Sequence, residues 1–239
     1  MIPLRDVVPS RAAPRATLAV IAALSLAFLA TSLLGDPAGA LLRRHGLTAA
    51  SPSWQDALSA HWLHASAMSL LGQLTALWLF GPSVEDRLAH GRYVALCAIC
   101  AFSAALVHVQ LYPTWPIPAT GAGGAVAGVV GAYLALYPAS RILVFAVRIV
   151  EVPALVFAAA WCLLQVIDST GLLSRTAGVT GWSLASLATA CGTGVLLGRL
   201  LGRRERAGVE WFYRDPIPAT RVTQEAGAGL CAEHRQRVK

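Results

Sequence analysis

The chain has 239 residues, 56% of them hydrophobic and 13% charged, with a formal net charge of +7 and a mean hydropathy of +0.60. Soluble domains carry about a quarter charged residues, so the apolar surplus here exceeds what one soluble core can bury, and a lipid bilayer is the partner that accommodates it. The positive charge is almost all arginine, with Lys239 the single lysine, and it lies at the ends of apolar runs rather than along a basic stripe, which argues against nucleic acid.

Taken in chain order, six apolar segments stand out, at 18–34, 62–80, 93–112, 119–137, 150–167 and 178–198. Each approaches the ~20 residues that cross ~30 Å of hydrocarbon at ~1.5 Å per residue. The first follows Arg5, Arg11 and Arg15 and ends at Gly35-Asp36-Pro37 without a small-residue cleavage site, so it is expected as a retained helix rather than a signal peptide. Asp36 to Ala60 is too long for a tight turn, carries Trp54 and a Ser53/Asp56 capping pair, and is expected along the outer membrane face.

After the second segment, Gly81-Pro82 predicts a helix stop, with Ser83 and Asp86 capping a short surface helix. Glu85 and Arg87 are then expected in an interfacial loop. Tyr112-Pro113-Thr114-Trp115-Pro116 predicts an interfacial turn before the fourth segment. The fifth segment is the weakest, crowded by Arg148 and Glu151, with Pro153 suited to a first helical turn and an interfacial stretch from Ile142.

With the N-terminus inside, inner segments hold eleven arginines, from Arg5 to Arg206, against Arg43, Arg44 and Arg175 outside. That bias predicts both termini in the cytoplasm. The expected organisation is a cytoplasmic segment at 1–17, a six-helix membrane domain at 18–200 and a flexible cytoplasmic tail at 201–239. The arginine-rich, lysine-poor composition points to a GC-rich bacterial genome, and so to a bacterial cytoplasmic membrane.

Five cysteines, Cys97, Cys100, Cys162, Cys191 and Cys231, mostly sit in apolar runs as packing residues, and the Cys97/Cys100 pair has no second pair beside it. His61 and His64, at i and i+3, would need a third ligand to hold a metal. No metal or cofactor is expected. Gly121, Gly124, Gly128 on the fourth segment and Gly194, Gly198 on the sixth are spaced for close helix packing.

The run His61-Trp62-Leu63-His64-Ala65-Ser66-Ala67-Met68-Ser69-Leu70-Leu71-Gly72-Gln73-Leu74, then Leu79-Phe80-Gly81, Glu85-Asp86-Arg87-Leu88 and Arg92-Tyr93, resembles the second helix and following loop of the rhomboid family of intramembrane serine proteases. Gly121-Ala122-Gly123-Gly124 resembles that family's Gly-x-Ser-Gly, and Ser186 to Gly198 its last helix. The resemblance spans about residues 18–200 and implies an all-α polytopic membrane bundle with six transmembrane helices.

It also implies where chemistry should lie. Carried over residue by residue, the nucleophilic serine falls on Gly123, the histidine base on Leu187, and two oxyanion-stabilising positions on Ser69 and Gln73. Acyl transfer needs an attacking group, a base in hydrogen-bond reach and preplaced donors. Gly123 and Leu187 supply neither of the first two. His64 and Ser69, about 140° apart on a helix, are not expected to substitute.

The expected function is therefore a catalytically inactive pseudoprotease that binds transmembrane helices of client membrane proteins, through a groove between segments two and five. The alternatives are a divergent rhomboid-type serine endopeptidase with another nucleophile, and a small transporter or channel. The last is disfavoured by an interior expected to hold almost no charge besides Arg148 and Glu151.

Overall fold

The computed structural model describes residues 2–6, 13–34, 36–145, 149–170 and 181–202. They belong to one compact unit, Met1–Arg203; the expected tail from residue 203 onward, Arg148 and Arg175 lie outside the described residues.

The elements in order are β1 (Ile2–Asp6), α1 (Arg15–Leu33), α2 (Asp36–His45), α3 (Trp54–Ser59), α4 (Ala67–Leu88), α5 (His90–Leu111), α6 (Gly123–Leu136), β2 (Arg141–Phe145), β3 (Ile149–Pro153), α7 (Ala154–Ser169) and α8 (Leu184–Leu201). The six apolar segments thus correspond to α1, α4, α5, α6, α7 and α8. Four of them, α1, α4, α5 and α8, are long and apolar enough to cross a membrane, while α6 and α7 are shorter apolar helices.

Apolar side chains face outward in quantity. Leu26, Leu29, Trp78, Phe102, Leu163 and Leu200 are all exposed, and on α1 the buried residues are only Thr17, Leu24 and Thr31. A soluble protein does not spread leucine and tryptophan over most of its helices, whereas lipid solvates them. α6 shows the opposite pattern: almost every residue from Gly123 to Tyr133 is buried, so it forms the centre of the bundle. Its 14 residues suffice because neighbouring helices, rather than lipid, cover it.

α6 makes its widest contact with α8. A methyl at Gly194 would run into the Gly128 carbonyl, and one at Gly198 would lie 3.0 Å from Ala132 Cα. Gly124 faces Ala104 of α5 at 2.7 Å by the same measure. These glycines bring backbones together as their spacing predicts. Gly121 differs: it precedes α6 with φ of +108°, a turn conformation suited to glycine.

Two sequence expectations are corrected. α4 does not stop at Gly81-Pro82; Pro82 lies inside the helix, and Val84 and Leu88, both fully buried, draw the last turns against the core. Glu85 and Arg87 are accordingly helical, not in a loop, and Glu85 is 1% exposed. The stretch from Ile142 is strand: β2 and β3 pair antiparallel, and α7 begins at Ala154, directly after Pro153. In the N-terminal segment, β1 pairs with β2, and Arg15 to Thr17 already belong to α1.

The buried carboxylate of Glu85 explains how α1 starts. The first N–H groups of a helix lack intrahelical acceptors, and Pro14 at the N-cap offers no side-chain bond. Glu85 accepts from Ala16 N at 2.8 Å and Thr17 N at 2.7 Å instead, with His90 as a further partner. The pairing puts the start of α1 on the same side as the end of α4, and β1–β2 adds the α6–α7 connection to that side. The Leu47–Ala119 bridge joins the two connections at the opposite end. The region from Asp36 to Ala60 forms α2 and α3, with Ser53 capping α3 through Gln55 N at 3.2 Å and Asp56 in its first turn.

Candidate functional site

The site forms where the turn before α4, the loop before α6 and the facing ends of α7 and α8 meet. The α6 loop is held from two sides. Leu47 and Ala119 exchange backbone hydrogen bonds of 3.0 and 2.9 Å, and Gly121 N donates to Ala60 O at 2.8 Å. Trp182 Nε1 donates to Gly121 O, so an indole just ahead of α8 clamps the same glycine.

α4 contributes Ser69 and Gln73, four residues apart on one helix face. Gln73 is 1% exposed, and its Oε1 lies 2.9 Å from His64 Nε2. Its amide nitrogen is turned to Gly121, where any Cβ would stand 3.0 Å away, and it has no hydrogen-bond partner among the described residues. Ser69 Oγ donates to Asp168 Oδ2 at 2.8 Å, joining α4 to α7 across 99 residues.

Gly123, at the first position of α6, has no side chain, and little room for one. A Cβ there would lie 3.0 Å from Gln165 Nε2, 3.1 Å from Trp182 Cδ1 and 3.2 Å from Leu187 Cδ2. The structure therefore brings Gly123 and Leu187 together, and brings Gln73 to the loop two residues before Gly123. Ser69 reaches the group through α7, where Asp168 and Gln165 lie three apart.

Three partners in this cluster escaped the sequence reading: Gln165, Asp168 and Trp182. The first two carried a signal, since a glutamine and an aspartate inside an apolar run are costly in lipid unless they face partners. Asp168, 5% exposed, and Glu85 are buried carboxylates near the ends of α7 and α4. Trp182 carried no comparable local signal.

His61 does not act with His64 as a helical pair. It lies in the turn after α3, with Nδ1 2.8 Å from Ala57 O and Nε2 3.1 Å from Ala101 O, and its ring stacks on Trp182 at 4.6 Å. Burial pushes its imidazole down to about 4, outweighing the two carbonyls that favour the protonated ring. His108, on α5, meets Trp182 edge-on at 5.7 Å.

Beside the polar cluster, on the outward side of α4 and α7, runs an apolar groove of about 350 Å³ lined by Met68, Leu71, Thr75, Phe157, Trp161 and Leu164 among others.

Long apolar helices around a buried polar cluster, with lipid-type surface outside, define a polytopic helical membrane protein. The family model of the Rhomboid domain matches residues 51–204, well over half of the chain. The chain belongs to the rhomboid family. No curated protein matches it.

Proposed function

We propose that this protein is a non-catalytic member of the rhomboid family that binds transmembrane helices of other membrane proteins. One observation carries the reading: Gly123 stands at the nucleophile position, with no side chain to attack, and even a Cβ there would be tight against Gln165, Trp182 and Leu187. Leu187, at the position of the base, adds only methyl groups. Peptide hydrolysis without an attacking oxygen or sulfur beside a proton acceptor has no route.

The groove between α4 and α7 supports the binding half of the proposal. It is apolar and open toward the face that lipid would solvate, and Gly72 beside Leu164 brings the two helices close at one point. A partner helix seated there would trade lipid contacts for close packing. Arginine distribution supports a topology with both termini in the cytoplasm, residues 18–200 as the membrane domain and the segment from 201 as a tail.

The test has two arms on the full chain in native membranes. A photoreactive amino acid at Leu71 should crosslink to membrane-protein partners, and the same group at exposed Leu29 of α1 should not give the same products. A serine-directed fluorophosphonate should leave the protein unlabelled. Crosslinks to lipid alone would defeat the binding reading, and phosphonate labelling would defeat the non-catalytic one.

A second reading, a divergent serine endopeptidase, is favoured by one contact, the Ser69 hydroxyl on the Asp168 carboxylate at 2.8 Å. Labelling that disappears in Ser69→Ala would support it.

A further inference from the structure

A separate cavity of about 240 Å³ lies where α5 and α7 end and α8 begins, lined by His108, Tyr112, Trp115, Ser169, Ser183 and Leu184, with Gly181 at its edge. It shares no lining residue with the α4–α7 groove. His108 is 3% exposed, yet among the described residues neither of its ring nitrogens has a hydrogen-bond partner. The rings of Tyr112 and Trp182 stand 5.6 and 5.7 Å away and offer its nitrogens no more than a weak contact with an aromatic face. A buried polar side chain is normally paired. One that is unpaired and faces a cavity is provisioned for something that enters the cavity.

The wall opposite His108 is the amino end of an 18-residue helix. Ser183 is the N-cap of α8, its hydroxyl accepting from Ser186 N at 3.3 Å and lying 2.6 Å from Ser186 Oγ. Leu184 is the first helical residue and also lines the cavity. The leading N–H groups of a helix are donors without intrahelical acceptors, and the helix dipole places partial positive charge there.

We infer that this cavity binds a small anionic oxygen group, a phosphate or carboxylate, held between His108 and the amino end of α8. His108 donates an N–H to one oxygen, and the first amides of α8 donate to another. The volume falls below the ~300–1,000 Å³ typical of sites for drug-sized ligands, which fits a headgroup-sized anion. Asp168, whose carboxylate lies behind cavity-lining Gly181, already accepts the Ser69 hydroxyl and does not itself line the cavity. Tyr112 and Trp115 suit the level of lipid headgroups, so the anion can be a dissolved phosphate or the phosphate of a lipid.

The experiment follows the His108 ring by NMR in the full-length protein labelled with ¹⁵N-histidine, the resonance being assigned by its loss in His108→Phe. Inorganic phosphate and acetate are titrated into protein in uncharged detergent, against chloride at matched ionic strength. In parallel, nanodiscs of phosphatidylcholine are compared with nanodiscs containing phosphatidylglycerol. A saturable displacement of the His108 nitrogens by phosphate or acetate assigns a soluble anion. Displacement only in phosphatidylglycerol nanodiscs assigns a lipid headgroup. Narrowing the cavity by Ser169→Leu should weaken the apparent affinity at least fivefold. A His108 resonance that no anion moves, or that drifts without saturation as with chloride, overturns the proposal.

Discussion

Glu85 and Thr17 are joined twice over, the carboxylate accepting the Thr17 backbone N–H at 2.7 Å and its hydroxyl at 2.6 Å. A residue near the end of α4 thereby serves as the N-terminal cap of α1, 68 positions earlier in the chain. The contact fixes where the outermost helix sits, because little of α1 is otherwise buried.

Removing that carboxylate leaves two amides and a hydroxyl without their acceptor. Hydrogen bonds to a charged group contribute about 1.5–3 kcal/mol each, not additively. Glu85→Ala should destabilise the fold by roughly 2–4 kcal/mol, and Thr17→Val by about 1 kcal/mol. Unfolding in mixed micelles monitored by circular dichroism checks both. Equal melting of the wild type and Glu85→Ala would show that the cap is dispensable.

Two glycines on α8 provide an internal contrast. A methyl at Gly194 meets the Gly128 backbone, whereas one at Gly192 has nothing within 4 Å. Gly194→Ala should separate α8 from α6 at a cost of about 1–3 kcal/mol. Gly192→Ala should be neutral or stabilise by up to ~1 kcal/mol through helix propensity. Thermal melts of the two variants decide it, and a reversed order would mean that the α6–α8 seam is looser than described.

Gly123→Ser should not create a hydrolase. The new side chain would press on Gln165, Trp182 and Leu187 at 3.0 to 3.2 Å, and no histidine adjoins it on α8. Expected outcomes are a lower melting temperature and no cleavage of a fluorogenic transmembrane substrate. The double variant Gly123→Ser, Leu187→His is the stricter trial. Turnover by the single variant would show that a base is already present.

His61 sets a pH dependence with a defined sign. Its imidazole is near 6.5 when unfolded and about 4 when folded, so between those values the unfolded chain binds more protons. Stability from this group is complete above pH 6.5 and declines as pH falls toward 4, by about 3 kcal/mol at most. His61→Phe keeps a ring against Trp182 and should flatten the difference in stability between pH 7 and pH 4.5. An unchanged pH slope in that variant would place the titration elsewhere.

The positions of the membrane helices were readable from the chain because lipid solvation is a local demand. Any window of about 20 apolar residues must leave water wherever the rest of the protein lies; each of the six windows contains a helix, four of them long and apolar enough to cross a membrane. Glycine spacing was readable for the same reason, since Gly124, Gly128, Gly194 and Gly198 recur at one helical face. Pro82 shows where local rules fail. A proline after glycine signals a stop, yet burial of Val84 and Leu88 carries α4 onward, and that burial exists only once α5 and α6 are in place.

The sequence by itself determined the membrane class, the helix order and the missing side chain at Gly123, all of which depend on residue identity and near neighbours. Tertiary structure decided which polar groups meet: Ser69 with Asp168, Glu85 with Thr17, His61 with Trp182 and β1 with β2. These partners are about 70 to 140 positions apart in the chain, beyond the reach of any helical or strand period. Burial makes each such group seek a partner, but only the packed bundle determines which partner is close enough.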